Sequence, residues 1–241
     1  LIIAAILNIL LDLYFITQLH LGVQSAGIAT IIAQGISALL CLLYIRKKVP
    51  FLLPHRKDFV WDKELYQDLL SQGLAMGLMT SIVSIGTVIL QSAINQLGTT
   101  IISAQVAARR IMSFAVLPIT AIASSITTFI SQNFGAEQFQ RIKKGVTIAN
   151  LLSWVWSVLV AALLFFTSPS ITSFISGSTN PDLIANASLY LQISSCFYPI
   201  LASLIILRNA LQGMGKKLTP LTSSFIELFG KIFFVLWIIP H

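Results

Sequence analysis

The chain has 241 residues, 56% hydrophobic and only 10% charged, with a mean hydropathy of +0.87. An ordinary soluble domain is about one-quarter charged, so this composition excludes that class and implies an all-α, polytopic membrane protein surrounded by lipid. The net charge of +7 does not imply a nucleic-acid partner, because Lys and Arg fall between apolar runs and not on a basic face interleaved with aromatics.

A membrane-crossing helix needs about 20 apolar residues. Seven such helices are expected, over residues 1–17, 23–45, 69–94, 100–130, 145–167, 183–210 and 218–239. The connections at 18–22, 95–99 and 168–182 contain no Lys or Arg. The alternate ones hold Arg46, Lys47, Lys48, Arg56, Lys57 and Lys63, then Arg141, Lys143 and Lys144, then Lys216 and Lys217. The positive-inside rule puts this second set in the cytoplasm, and one alternation satisfies all six connections. The chain begins and ends in apolar helix, which reads as a piece of a longer protein, and the first run lacks the features of a signal peptide.

The first segment contains Asn8 and Asp12 in an otherwise apolar run. A carboxylate near the middle of a membrane helix costs about 2.5 to 3.5 kcal/mol on insertion scales, so its presence calls for a reason. Four residues apart, the two side chains share a helical face. The second segment returns from the turn at 18–22, and Asp12 and Thr30 stand at comparable depth, roughly 10 Å from the outer end at about 1.5 Å per residue. A carboxylate, an amide and a hydroxyl could therefore converge. Oxygen ligands of this kind suit Na⁺, and low-dielectric surroundings favour the neutral form of a carboxyl group, which would hold a proton. The plainer alternative is a polar residue bonded to neighbouring backbone or to Asn8.

In the connection at 46–68, Pro50 and Pro54 break any helix, and residues 58–70 have the mixture of acids, Lys63, Trp61 and Leu65 that suits a short surface helix. The stretch reads as a cytoplasmic linker between two helical bundles, or as an ordinary long loop. The third segment has Gly73 and Gly77 at the spacing that lets helices approach closely. The fourth carries Pro118, which is expected to kink it, together with Arg109 and Arg110. At least one of these arginines must face a cavity or polar partner, or snorkel to an interface. The seventh holds Glu227 and Lys231, four apart in the favourable order, either a structural ion pair or part of a pathway. Gln34, Gln91, Gln105, Asn150, Gln192 and Asn209 recur within the helices, suited singly to interhelical hydrogen bonds and together to a watered cavity.

No enzyme is expected. His20, His55 and His241 lack metal-ligand spacing, Cys41 and Cys196 lie in apolar segments, and no nucleophile elbow, phosphate loop or zinc motif occurs.

The residues also carry a resemblance. Asn8-Ile9-Leu10-Leu11-Asp12 and the stretch at 22–30 (GVQSAGIAT) resemble the fifth and sixth helices of multidrug and toxic compound extrusion (MATE) transporters. The stretches at 104–111 (AQVAARRI), 131–136 (SQNFGA, with RIKKG from Arg141) and 211–216 (LQGMGK, with Pro220 and Glu227) are similar to later parts of the same family. This resemblance implies a twelve-helix, two-lobe transporter that exports small organic, often cationic compounds in exchange for H⁺ or Na⁺, without a cofactor. It also implies a location in a bacterial plasma membrane and a monomer. The chain would supply helices five to eleven: residues 1–45 the end of the first lobe, 46–68 the cytoplasmic linker, and 69–241 most of the second lobe. The family's cation site would carry over to Asp12, Asn8 and Thr30, with a further acid on a helix outside this sequence. Glu227, Lys231, Arg109, Arg110 and Gln91 would belong to a cavity or ion pair. Leu13 stands where many members have proline, and residues 80–84 lack the acid of a second-lobe cation site. Alternatives are a flippase for a lipid-linked precursor and a membrane scaffold that transports nothing.

Overall fold

The computed structural model describes residues 2–20 and 22–237. Leu1, the last two residues of the seventh expected segment, and His241 lie outside them. Among the described residues every long element is a helix: α1 (Ile2–Thr17), α2 (Gln24–Lys48), α3 (Lys63–Ile94), α4 (Thr99–Gly135), α5 (Phe139–Ser176), α6 (Pro181–Cys196), α7 (Tyr198–Gly213) and α8 (Leu218–Trp237). Five of these are long and apolar enough to cross a membrane, and α6 with α7 makes a sixth span bent by 55°. The first, α1, has 16 described residues, about 24 Å of helix, and falls below that length.

The bend corrects the expectation of one continuous helix over 183–210. Pro199 is in the first turn of α7 and has no N–H, so the Ser195 carbonyl cannot receive its usual donor. The Phe197 N–H turns to the Ser194 carbonyl at 3.0 Å. By contrast α4 remains helical through Pro118. The proline deprives the Phe114 carbonyl of its usual donor, and one residue on, the Trp156 indole N–H donates to the Ala115 carbonyl at 2.8 Å, tying α5 to α4 beside the proline.

The connection before α3 also differs from expectation. Two 3-10 turns, Pro50–Leu52 and Arg56–Asp58, precede α3, and residues 63–70 are the first turns of that long helix and not a separate surface helix.

The chain divides into a first unit, Leu1–Lys63, and a second, Glu64–His241. The first is a hairpin of α1 and α2. In the second, α4 to α7 pack around one another. Along α4 the buried positions Ala104, Ala108, Ile111, Ala115, Ile119, Ala123, Ile126 and Ile130 recur every three or four residues, which is one face of a helix. Buried sites favour Ala, Ser and some Ile, while most Leu and Phe point outward, as expected where lipid removes any hydrophobic drive between helices and close packing holds them together. At Gly213 an added Cβ would stand 2.7 Å from the Thr127 carbonyl oxygen, so α4 and α7 meet there backbone to backbone. Gly73 and Gly77, expected to mediate such an approach, face open space; on α3 the close contact is at Gly86, where a Cβ would meet Lys231 Cδ at 2.9 Å.

Candidate functional site

In the first unit, Asn8 Nδ2 donates to Thr30 Oγ1 at 3.2 Å, linking α1 to α2. The Thr30 hydroxyl spends its own proton on the Ala26 carbonyl at 2.7 Å, so towards Asn8 it acts as an acceptor. Asp12 is one turn further along α1, half-buried, and its Oδ1 is buried with no hydrogen-bond partner among the described residues. Two members of the expected trio are thus joined directly. The third is adjacent on the helix and keeps an open acceptor. A buried acceptor without a donor is costly, and a bound proton or cation removes that cost. Asn8, Thr30, Gln34, Ser37 and Cys41 line a cleft of about 600 Å³ in this unit, which Asp12 does not reach.

In the second unit the pair Glu227 and Lys231 proves to be part of a larger cluster. Lys231 Nζ lies 2.8 Å from Glu227 Oε1, and Arg208 Nη2 lies 3.0 Å from Oε2. Arg208 Nε donates to Ser223 Oγ at 2.7 Å. Both carboxylate oxygens are therefore matched, and the cluster ties α7 to α8. Reading the sequence pairwise missed Arg208. An arginine inside the apolar stretch at 183–210 was the available signal.

Arg109 is half-buried and Arg110 exposed, and neither forms an ion pair among the described residues. Gln91 is used locally, donating to Asn95 Oδ1 at 2.9 Å. Among the other amides, Asn209 accepts from Thr127 Oγ1 at 3.0 Å and Gln192 donates to the Phe165 carbonyl at 3.2 Å, both between helices. Gln105 keeps a buried Oε1 without a donor. At the positively charged side, Lys217 Nζ lies 2.7 Å from Asp68 Oδ1, bringing together two connections assigned to the cytoplasm by their cations. No group of three or more His, Cys, Asp or Glu able to hold a metal occurs among the described residues.

Long apolar helices packed through small residues, one of them broken, with charges and amides inside the spans, define a polytopic helical membrane protein. The chain belongs to the MatE family, whose profile matches residues 75–237. It is 28% identical over 227 residues to the probable multidrug resistance protein YpnP of Bacillus subtilis, covering 93% of this chain and 49% of that protein. It is 27% identical over 236 residues to the FAD transporter of Shewanella oneidensis, covering 93% and 50%. A crystal structure of a mutant of the Vibrio cholerae MATE transporter VcmN superposes with a TM-score of 0.88 at 19% identity, covering 98% of this chain and 55% of that one, a likeness of fold. The chain spans about half the length of the curated relatives it matches. Membership and the long apolar helices make it part of a multi-pass protein of the bacterial plasma membrane.

Proposed function

We propose that the full-length protein is a cation-coupled antiporter, and that this chain supplies helices five to eleven of twelve. It exports small organic compounds by alternating access, working as a monomer, and takes H⁺ or Na⁺ at Asp12 with Asn8 and Thr30 beside it. Residues 1–45 close the first lobe, 46–68 form the cytoplasmic linker and 69–241 make most of the second lobe. The observation that carries this reading is the open acceptor on Asp12 one turn from the Asn8–Thr30 hydrogen bond, inside a helix where a carboxylate is costly.

Binding a proton or Na⁺ neutralises that carboxylate and changes which arrangement of the hairpin is lowest in free energy. A ligand shifts an equilibrium only through its differential affinity for the two states, and a group left unsatisfied in one state supplies that difference. The test is Asp12→Asn in the full-length protein reconstituted in liposomes, with export of ethidium driven in turn by a proton and a sodium gradient. Gradient-driven export is expected to vanish while expression and melting temperature hold. Export at the parental rate would overturn the assignment of Asp12.

A further inference from the structure

Within α4, α7 and α8 of the second unit stand four cations, Arg109, Arg110, Arg208 and Lys231, against one acid, Glu227. Glu227 is already shared between Arg208 and Lys231. Among the described residues neither arginine of α4 has a carboxylate partner. A cation within an apolar helix is stabilised by an anion or by polar groups beside it.

Arg110 lines a cavity of about 440 Å³ between α4 and the connection from α5 to α6, a volume within the usual range for a small-molecule site. Ser103, Ser176 and Ser178 line it as well, and no acid does. The hydrogen bonds around these serines leave donors over. Ser176 Oγ accepts the Ser178 N–H at 3.2 Å, and Ser178 Oγ accepts the Asn180 N–H at 3.1 Å, so both hydroxyl protons are without an acceptor among the described residues. Ser103 makes no side-chain hydrogen bond there. Asp182, the nearest acid along the chain, is exposed in the first turn of α6 and forms no ion pair with Arg110. A guanidinium and several spare hydroxyl protons around one cavity can donate to the oxygens of a carboxylate or phosphate, and the positive charge with no acid in the lining disfavours an ammonium. Ile102, Val106 and Ile175 supply an apolar wall for the body of the same molecule.

We propose that this cavity is an anion subsite, taking the carboxylate or phosphate of an amphipathic organic compound through Arg110, Ser176 and Ser178. It deepens the transporter reading by naming a substrate class, and it is tested without any gradient. Fluorescein, a dianion, and rhodamine 6G, a cation on the same xanthene skeleton, serve as probes for equilibrium binding to the full-length protein in phosphatidylcholine nanodiscs. The parent is expected to bind fluorescein more tightly, Arg110→Gln to weaken fluorescein by about tenfold or more while leaving rhodamine 6G within about twofold, and Arg110→Lys to recover part of the loss. Ser178→Ala gives a smaller loss in the same direction and serves where Arg110→Gln fails to fold. Equal binding of fluorescein by parent, Arg110→Gln and Ser178→Ala, or preference of the parent for rhodamine 6G, would overturn the subsite. Nanodiscs containing phosphatidylglycerol separate two sources of the anion: competition with fluorescein assigns the subsite to a lipid headgroup, and its absence to a soluble solute. The subsite is read in equilibrium binding without a gradient and the coupling assignment in gradient-driven export by Asp12→Asn, so failure of one proposal is distinguishable from failure of the other.

Discussion

Each of the two units holds a carboxylate inside an apolar helix, and they treat it in opposite ways. In the second unit Glu227 is closed: each oxygen meets a cation, and Arg208 is fixed further by Ser223. In the first, Asp12 retains a buried oxygen with no donor, and its neighbours Asn8 and Thr30 spend their bond on each other. A closed cluster has little left to gain from a ligand and holds α7 to α8. An open one is sensitive to whatever supplies the missing positive charge. Membrane cost alone therefore does not mark a functional acid; the state of its hydrogen-bonding capacity separates the two.

Experiments can widen or erase this contrast, beginning with the largest effect. Glu227→Ala strands two cations between α7 and α8, and breaking a buried pair costs about 3 to 5 kcal/mol. The side chains of Arg208, Glu227 and Lys231 keep 15%, 29% and 22% of their surface exposed. A loss near the lower figure is expected, read as a fall in the melting temperature of the purified full-length protein in detergent. An unchanged melting temperature would mean that the cluster is not structural and would remove the contrast.

Gly86→Val attacks the same cluster from α3, since even a Cβ there would press on Lys231 Cδ at 2.9 Å. Overpacking costs about 1 to 3 kcal/mol, and the flexible lysine stem favours the lower end. The same melt should show a smaller fall than with Glu227→Ala, and a double variant should fall by less than the sum, because both changes act on one network.

The smallest effect belongs to the open site. Thr30→Val removes the acceptor of Asn8, and side-chain hydrogen bonds between membrane helices average about 0.6 kcal/mol. Stability should barely move while the concentration of Na⁺ or H⁺ needed for half-maximal export changes several-fold. A large stability loss with unaltered ion dependence would class this site with the closed one.

Much of this was legible in the sequence because it is local. The helical segments follow from runs of apolar residues, and the pairs Asn8 with Asp12 and Glu227 with Lys231 follow from a spacing of four. The depth argument set Thr30 level with Asp12, whereas the hydrogen bond across the hairpin runs to Asn8, one turn earlier, because counting from a turn fixes register only to about one helical turn. Arg208 escaped because its carboxylate is 19 residues away across the α7–α8 turn, beyond the range of helical spacing. The break at Phe197 was masked by uniform hydropathy on both sides, although Pro199 was the physical signal for it. Gln91, grouped with a cavity or ion pair, spends a donor on Asn95 just past the end of its own helix; composition does not reveal which way an amide turns. The surface helix expected before residue 70 merged with α3 because no proline or glycine stands between Lys63 and Leu70 to stop it.

The two indoles of α5 carry a consequence of a different kind. Trp156 holds the Ala115 carbonyl of α4, and Trp154, two residues earlier, donates to Ser203 Oγ of α7 at 2.8 Å. They report on opposite neighbours from one rigid rod. In variants that keep Trp154 or Trp156 as the sole tryptophan, with Trp61 and Trp237 also replaced, emission colour and accessibility to quenchers become an optical gauge of α7 or of α4 without an attached dye.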